Sequence, residues 1–392
     1  MNQAMLAGMH EASRLTRSGR LNEATALIQR TLRGEAAAEP AERSAKPHIE
    51  GSFRVVEPGS TQRSTHTTRA TPPPVNPFGR SEGLLQGFEM PGVQRPRQAP
   101  VDPTPEGGRF IDGSYSNQMG TRSYKLYIPS SYRGQPMPLV LMLHGCTQDP
   151  DDFAAGTRMN HLAEAEDCLV LYPAQSMGAN LQKCWNWFKD GDQQRDSGEP
   201  SWLAGMTRDI VSRYAVDSRR IYVAGLSSGG AMASILGTTH PDLYAAVGIH
   251  SGLAAGAARD LPSAFSAMRQ GGKGFGPGGY RVPTIVFHGD RDTTVHPRNG
   301  ELVIAQAVAS TGTGEKPRVS TQRGQVPGGH AYTRAVYADP DGSVFMEHWL
   351  IHGAGHAWAG GSQGGSYTDP KGPDAASEML RFFSHHALVA AN

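Results

Sequence analysis

The stretch Ile221-Tyr222-Val223-Ala224-Gly225-Leu226-Ser227-Ser228-Gly229-Gly230 decides how this chain reads. Residues 221–224 form a short, unbroken apolar run, the pattern of a strand buried on both faces. From Gly230 a helical pattern runs on through 231–237. Between them stands Gly225-Leu226-Ser227-Ser228-Gly229. A Gly-x-Ser-x-Gly string is common by chance, but a strand before it and a helix after it are what a nucleophile elbow requires. The serine of such an elbow sits on a sharp, strained turn. Its neighbours two places away must be tiny, or their Cβ atoms would collide where strand folds into helix. The helix N-terminus beneath favours developing negative charge. A glycine-rich turn without chemistry is the weaker reading in that context.

Outward from the elbow the same kind of run recurs at 139–143, 168–172, 245–249, 284–287 and 344–351, with helical stretches such as 202–214 between. Short buried strands alternating with helices predict an α/β architecture, a mostly parallel sheet with helices on both faces. Residues 114–127 instead alternate polar and apolar, as a half-buried antiparallel strand or hairpin does.

A serine at an elbow needs a base and an orienting acid, in the chain order Ser, Asp, His. After the run 284–287 comes His288-Gly289-Asp290-Arg291-Asp292-Thr293-Thr294-Val295. Two carboxylates compete there. Asp290 follows Gly289 at the strand end, where it suits tying the loop backbone. Asp292 lies further out and is favoured, although spacing alone leaves the choice open. After the last strand the chain reads Ile351-His352-Gly353-Ala354-Gly355-His356-Ala357-Trp358. Its small residues can fold over the serine and present His356, whereas His352 belongs to the strand end. His250, His288 and His296 read as structural. Intervals of 65 residues from Ser227 to Asp292 and 64 from there to His356 leave room for a strand, a helix and a loop in each. The oxyanion of acyl transfer would take the N–H of Ser228 and, from the loop Leu143-His144-Gly145-Cys146-Thr147, that of Cys146.

The composition narrows the alternatives. Over 392 residues, 37 Lys+Arg against 36 Asp+Glu leave a net charge of +1, which argues against nucleic acid as the partner. Residues 1–100 carry a local +4, too dilute for a nucleic-acid arm. No apolar stretch approaches the length of a membrane span. Three cysteines exclude a disulfide-built scaffold and zinc motifs of the Cys-pair type. No metal and no organic cofactor is expected.

The strings LHGCTQ, YPAQ, CWNWF, GLSSGGAMAS, HGDRDTTV and GAGHAW follow one another in this order. Together they resemble the polyhydroxybutyrate depolymerase family of esterases, within the α/β-hydrolase superfamily and related to feruloyl and acetylxylan esterases. The similarity covers roughly 110–385. The resemblance implies Ser227 as nucleophile, Asp292 as orienting acid and His356 as base. It also pairs Cys146 with Cys184 as a disulfide beside the oxyanion hole, two free thiols being the alternative, and leaves Cys168 in a strand. Substrate is expected to be polyhydroxybutyrate or its oligomers, with feruloyl- or acetylxylan-type esters as the alternative. A peptidase of the prolyl-oligopeptidase kind and a catalytically idle binding protein are the remaining readings; 1–105 lacks the repeated strands of a propeller. Trp185, Trp187 and Trp358 are candidate substrate contacts, with core packing as the competing fate.

The catalytic domain is expected at 106–390. Ahead of it, 35–105 is rich in Pro, Ala, Ser, Thr, Glu and Arg and reads as a disordered linker. Residues 1–34 read as a helical hairpin, with Met5, Met9 and Ala12, then Leu21, Ala24, Ile28 and Leu32, at helical spacing. It would either dock a granule or protein partner or fold onto its own hydrolase. The segment lacks the marks of a secretory signal, so a cytoplasmic location is favoured, with the extracellular location of much of the resembled family as the alternative. The glycine-rich segment 254–279 does not join a strand to a helix. It is therefore no phosphate loop and is expected to form a mobile flap near the substrate mouth.

Overall fold

The apolar runs pair side by side into one ten-stranded sheet. The structure, a computed structural model, describes residues 102–118, 120–274, 282–309 and 316–389. The hairpin expected at 1–34 lies outside the described residues, as does all but the end of the linker expected at 35–105. At that end Pro103 is buried and its carbonyl accepts from Asn160 Nδ2 at 3.2 Å, so the chain is already packed ahead of 106.

The strands are β1 (Arg109–Asn117), β2 (Gly120–Ile128), β3 (Met137–Leu143), β4 (Leu169–Pro173), β5 (Val216–Leu226), β6 (Ala246–His250), β7 (Thr284–Gly289), β8 (Arg318–Gln325), β9 (Ala331–Ala338) and β10 (Val344–Ile351). Their order across the sheet is β1-β2-β4-β3-β5-β6-β7-β10-β9-β8. The six from β4 to β10 run parallel. The hairpin β1–β2 and the ribbon β8–β9 add antiparallel strands at the two edges. The β1–β2 pair matches the alternation of 114–127. Strands β8 and β9 carry no long apolar run, because they are exposed or half-buried, and periodicity passed them over.

The helices are α1 (Pro150–Thr157), α2 (Met159–Ala165), α3 (Gly198–Arg213), α4 (Ser228–Thr239), α5 (Leu261–Gln270), α6 (Arg298–Ala309) and α7 (Ala375–Ser384). Side chains alternate across the central strands and build two cores. Leu139, Leu141, Val223 and Val286 pack with Trp202, Met206, Ile235, Ala264 and Val303 of α3–α6. On the opposite face Val140, Tyr222, Ile285 and Phe287 pack with Phe153, Met159, Phe382 and Phe383 of α1, α2 and α7. Each large apolar side chain so buried contributes about 1.5–3 kcal/mol. The sheet is thus clamped from both sides, and the loops at its C-terminal edge stand on a rigid base.

The segment expected to be a flap contains one regular element among its described residues. Helix α5 occupies its centre, started by a reciprocal cap in which Asp260 Oδ1 accepts from Ser263 N. Residues 275–279 lie outside the described residues.

Candidate active site

Strand β5 ends at Leu226 and α4 begins at Ser228, which leaves one residue to make the turn. Ser227 makes it at φ 57°, ψ −116°, a conformation that side chains with a Cβ rarely adopt. Its N–H donates to the His250 carbonyl (2.9 Å) and its carbonyl accepts from Ala231 N (2.9 Å), which holds the strained peptide in place. A Cβ at Gly225 would stand 2.4 Å from the Gly229 carbonyl group, and one at Gly229 2.1 Å from the Leu143 oxygen. Both glycines are required by this crossing of backbones.

The two carboxylates after β7 have different partners. Asp290 accepts from Gly353 N (2.7 Å) and pairs with His352 Nδ1 (3.0 Å), tying the two loops together. Asp292 is buried. Its Oδ1 accepts from Thr294 N (2.9 Å) and Val295 N (2.8 Å). Its Oδ2 accepts from His356 Nδ1 at 2.7 Å. Burial alone would raise the Asp292 pKa, but hydrogen bonds from His288 and His356 outweigh it and hold the carboxyl far below the usual range. Asp292 is therefore ionised, and its partner nitrogen on His356 carries the proton.

His250 joins the histidine loop to the elbow. Its carbonyl takes the Ser227 N–H, and its Nε2 accepts from Ala359 N at 3.0 Å, three residues past His356. Complete burial depresses its pKa to about 3, so it stays neutral with the proton on Nδ1, facing Ser251 Oγ.

The loop after β3 is held from three directions. Gly145 N donates to Gln148 Oε1 (2.9 Å), and Trp185 Nε1 donates to the His144 carbonyl (3.0 Å). Cys146 and Cys184 are joined in a disulfide. His144 Nε2 accepts from Gln175 N (3.1 Å), and burial keeps that ring neutral, its pKa lowered to about 4. Among the described residues neither Cys146 N–H nor Ser228 N–H donates to a backbone or side-chain acceptor. Ser228 Oγ lies 3.4 Å from Cys146 Sγ, so the two loops meet.

All three tryptophans are buried, Trp185 included. Trp358 is 1% exposed, packed on Phe153 and His250, and offers substrate no face; packing replaces the expected contact. Trp187 is likewise buried, edge-on to Phe188. Trp185, 3% exposed, borders a cavity of about 250 Å³ past the end of β4, together with Arg122, Lys189, Trp202 and the buried Glu199. Glu199 accepts from Asn186 N (2.7 Å), Asn186 Nδ2 (2.7 Å) and Gln175 Nε2, and so organises the loop that carries Cys184. Sequence reasoning missed Glu199 and gave Gln175 no role, although YPAQ and CWNWF had marked both neighbouring segments. Among the described residues no group of acids, histidines and cysteines could hold a metal ion.

A strained serine at a strand-to-helix elbow, linked through His250 to the loop of a buried Asp–His pair in an α/β-hydrolase fold, defines the class. The family model described as Esterase PHB depolymerase matches residues 122–315, and the chain belongs to that family. It is 32% identical over 246 residues to poly(3-hydroxyalkanoate) depolymerase C of Paucimonas lemoignei, covering 59% of this chain and 57% of that one. It therefore spans little more than half of that depolymerase. It is 28% identical to feruloyl esterase B of Neurospora crassa, covering 62% of this chain and 85% of the esterase. The fold is also that of the acetyl xylan esterase from Aspergillus awamori, with a TM-score of 0.54 at 19% identity, over 70% of this chain and 99% of that one.

Proposed function

We propose that this chain hydrolyses carboxylic esters through an acyl-enzyme on Ser227, with polyhydroxybutyrate or its oligomers as substrate. The observation that carries the reading is the Asp292–His356 hydrogen bond, in a loop that His250 ties to the strained serine. His356 Nε2 takes the proton of Ser227 Oγ as the oxygen attacks the ester carbonyl. Asp292 holds the Nδ1–H tautomer and stabilises the imidazolium. The N–H groups of Cys146 and Ser228 receive the oxyanion, and the alcohol leaves with the proton from His356. Water then attacks the acyl-enzyme by the same route. Ser227→Ala with retained folding and full activity on p-nitrophenyl esters would end this reading.

A second reading, a feruloyl- or acetylxylan-type esterase, is favoured by coverage, since this chain spans most of the feruloyl esterase and far less of the depolymerase. Purified protein offered hydroxybutyrate oligomers, amorphous polymer, methyl ferulate and acetylated xylan decides between them by kcat/KM.

Residues 1–34 are proposed to dock the enzyme to polymer granules or a protein partner. Their deletion should spare a soluble short-chain ester and lower turnover of granules, because tethering raises effective concentration. Parallel loss on both substrates, or loss on neither, counts against docking.

A further inference from the structure

Behind Asp292 lies a second imidazole that the mechanism does not use. His288 and Asp292 side chains are both fully buried. His288 Nε2 is 2.8 Å from the Val295 carbonyl and 3.4 Å from Asp292 Oδ2. Both partners only accept, so Nε2 carries the proton and Nδ1 presents a lone pair. Among the described residues His288 Nδ1 has no hydrogen-bond partner, and His348 Nε2 has none either.

These two orphaned nitrogens open on one small space. His348 on β10 pairs with Val286 on β7, two residues before His288, so both rings project from the same side of the sheet, toward α6. A Cβ built on Gly300 of α6 would stand 3.1 Å from His288 Nδ1 and 3.2 Å from His348 Nε2. An unmet buried polar atom costs about 1–3 kcal/mol. A proton on His348 Nε2 directed at the His288 lone pair through one bridging water would satisfy both. Burial and His288 lower the His348 pKa to about 4, so that ring is neutral and has one such proton to place.

We propose that His288 is a positioning residue for Asp292, itself held by His348 across the space over Gly300. The inference rests on the catalytic reading above. His288 closes the last open side of the Asp292 carboxylate and fixes the direction in which Oδ2 meets His356.

The test uses the full chain and a soluble p-nitrophenyl ester, with three variants: His288→Leu, His288→Gln and Gly300→Ala. Readouts are kcat, KM, Tm and the far-downfield proton resonance of His356 Nδ1–H. His288→Leu should lower kcat about ten- to hundredfold, taking as guide the range known for residues that orient metal-ligating side chains from behind. KM should stay within about twofold and the resonance should shift. His288→Gln restores a donor near the Nε2 position and should recover most of the loss. Gly300→Ala should also lower kcat, although alanine favours a helix over glycine by about 1 kcal/mol. Wild-type kcat in His288→Leu, or a loss that follows Tm alone with the resonance unmoved, overturns the proposal. If His288→Leu does not fold, wild-type kcat and resonance in Gly300→Ala overturn it. Should Asp292→Asn itself keep full kcat, the catalytic reading fails first. An inactive Asp292→Asn beside an unimpaired His288→Leu removes His288 alone.

Discussion

Ser227, Asp290 and Asp292 show how far a single residue can be argued from its place. The elbow dictates its own residue types, because a Cβ at Gly225 or Gly229 would overlap backbone atoms. Ser227→Ala removes one oxygen and leaves that crossing intact. It should abolish ester hydrolysis with Tm within a degree or two, measured by a p-nitrophenyl ester assay and thermal melting. The two aspartates differ in partner rather than in type. Asp292→Asn should lower kcat by about 10⁴, the loss seen for the equivalent change in the serine-protease template, because the amide favours the wrong imidazole tautomer. Asp290→Asn weakens its contact with His352 and one loop hydrogen bond, and should lower Tm while kcat per folded molecule holds. Equal catalytic losses from the two at matched folding would contradict this division.

At the scale of an element, the loop before α3 depends on one buried carboxylate. Burial and the neighbouring Asp192 push Glu199 up to about 7, against three N–H donors that favour its ionised form. A carboxyl whose folded pKa stands above its unfolded value binds protons more tightly when folded. Its contribution to stability is present below about pH 4.5 and is lost as the pH rises toward 7. Thermal melts between pH 5 and 8 should therefore show falling stability. Glu199→Gln should flatten that slope, and an unchanged slope would place the titration elsewhere. Because this loop carries Cys184, and Cys184 is bonded to Cys146, loosening it should also lower kcat more than it raises KM.

At the scale of the whole molecule, Glu347 fastens the added ribbon to the parallel sheet and the last helix. It is buried on β10 and accepts from Arg334 of β9 (2.7 Å), Arg381 of α7 (2.7 Å) and Trp349 Nε1 (3.0 Å). Arg334 and Arg381 outweigh the burial and hold its carboxyl below the usual range. Glu347→Ala should destabilise by about 3 kcal/mol, the low end for breaking a buried ion pair, because both guanidinium groups keep some access to water. Urea unfolding measures it, and a loss under about 0.5 kcal/mol would mean that the cluster adds little beyond packing.

What the sequence by itself determined is local. A nucleophile elbow is a steric fact about five consecutive residues, and a buried parallel strand writes itself as an apolar run. Hence the α/β sheet, the place of Ser227 and the loops around it were legible before any coordinates. Tertiary structure decided what depends on partners far apart in the chain. Asp290 and Asp292 stand two residues apart, yet one meets His352 and the other His356. Trp185, Trp187 and Trp358 are all enclosed in the core, because burial is set by every element that packs around a ring. Glu199, Glu347 and His288 carry no short-range signature. Their chemistry comes from being taken out of water beside particular neighbours, and only the folded chain brings those neighbours together.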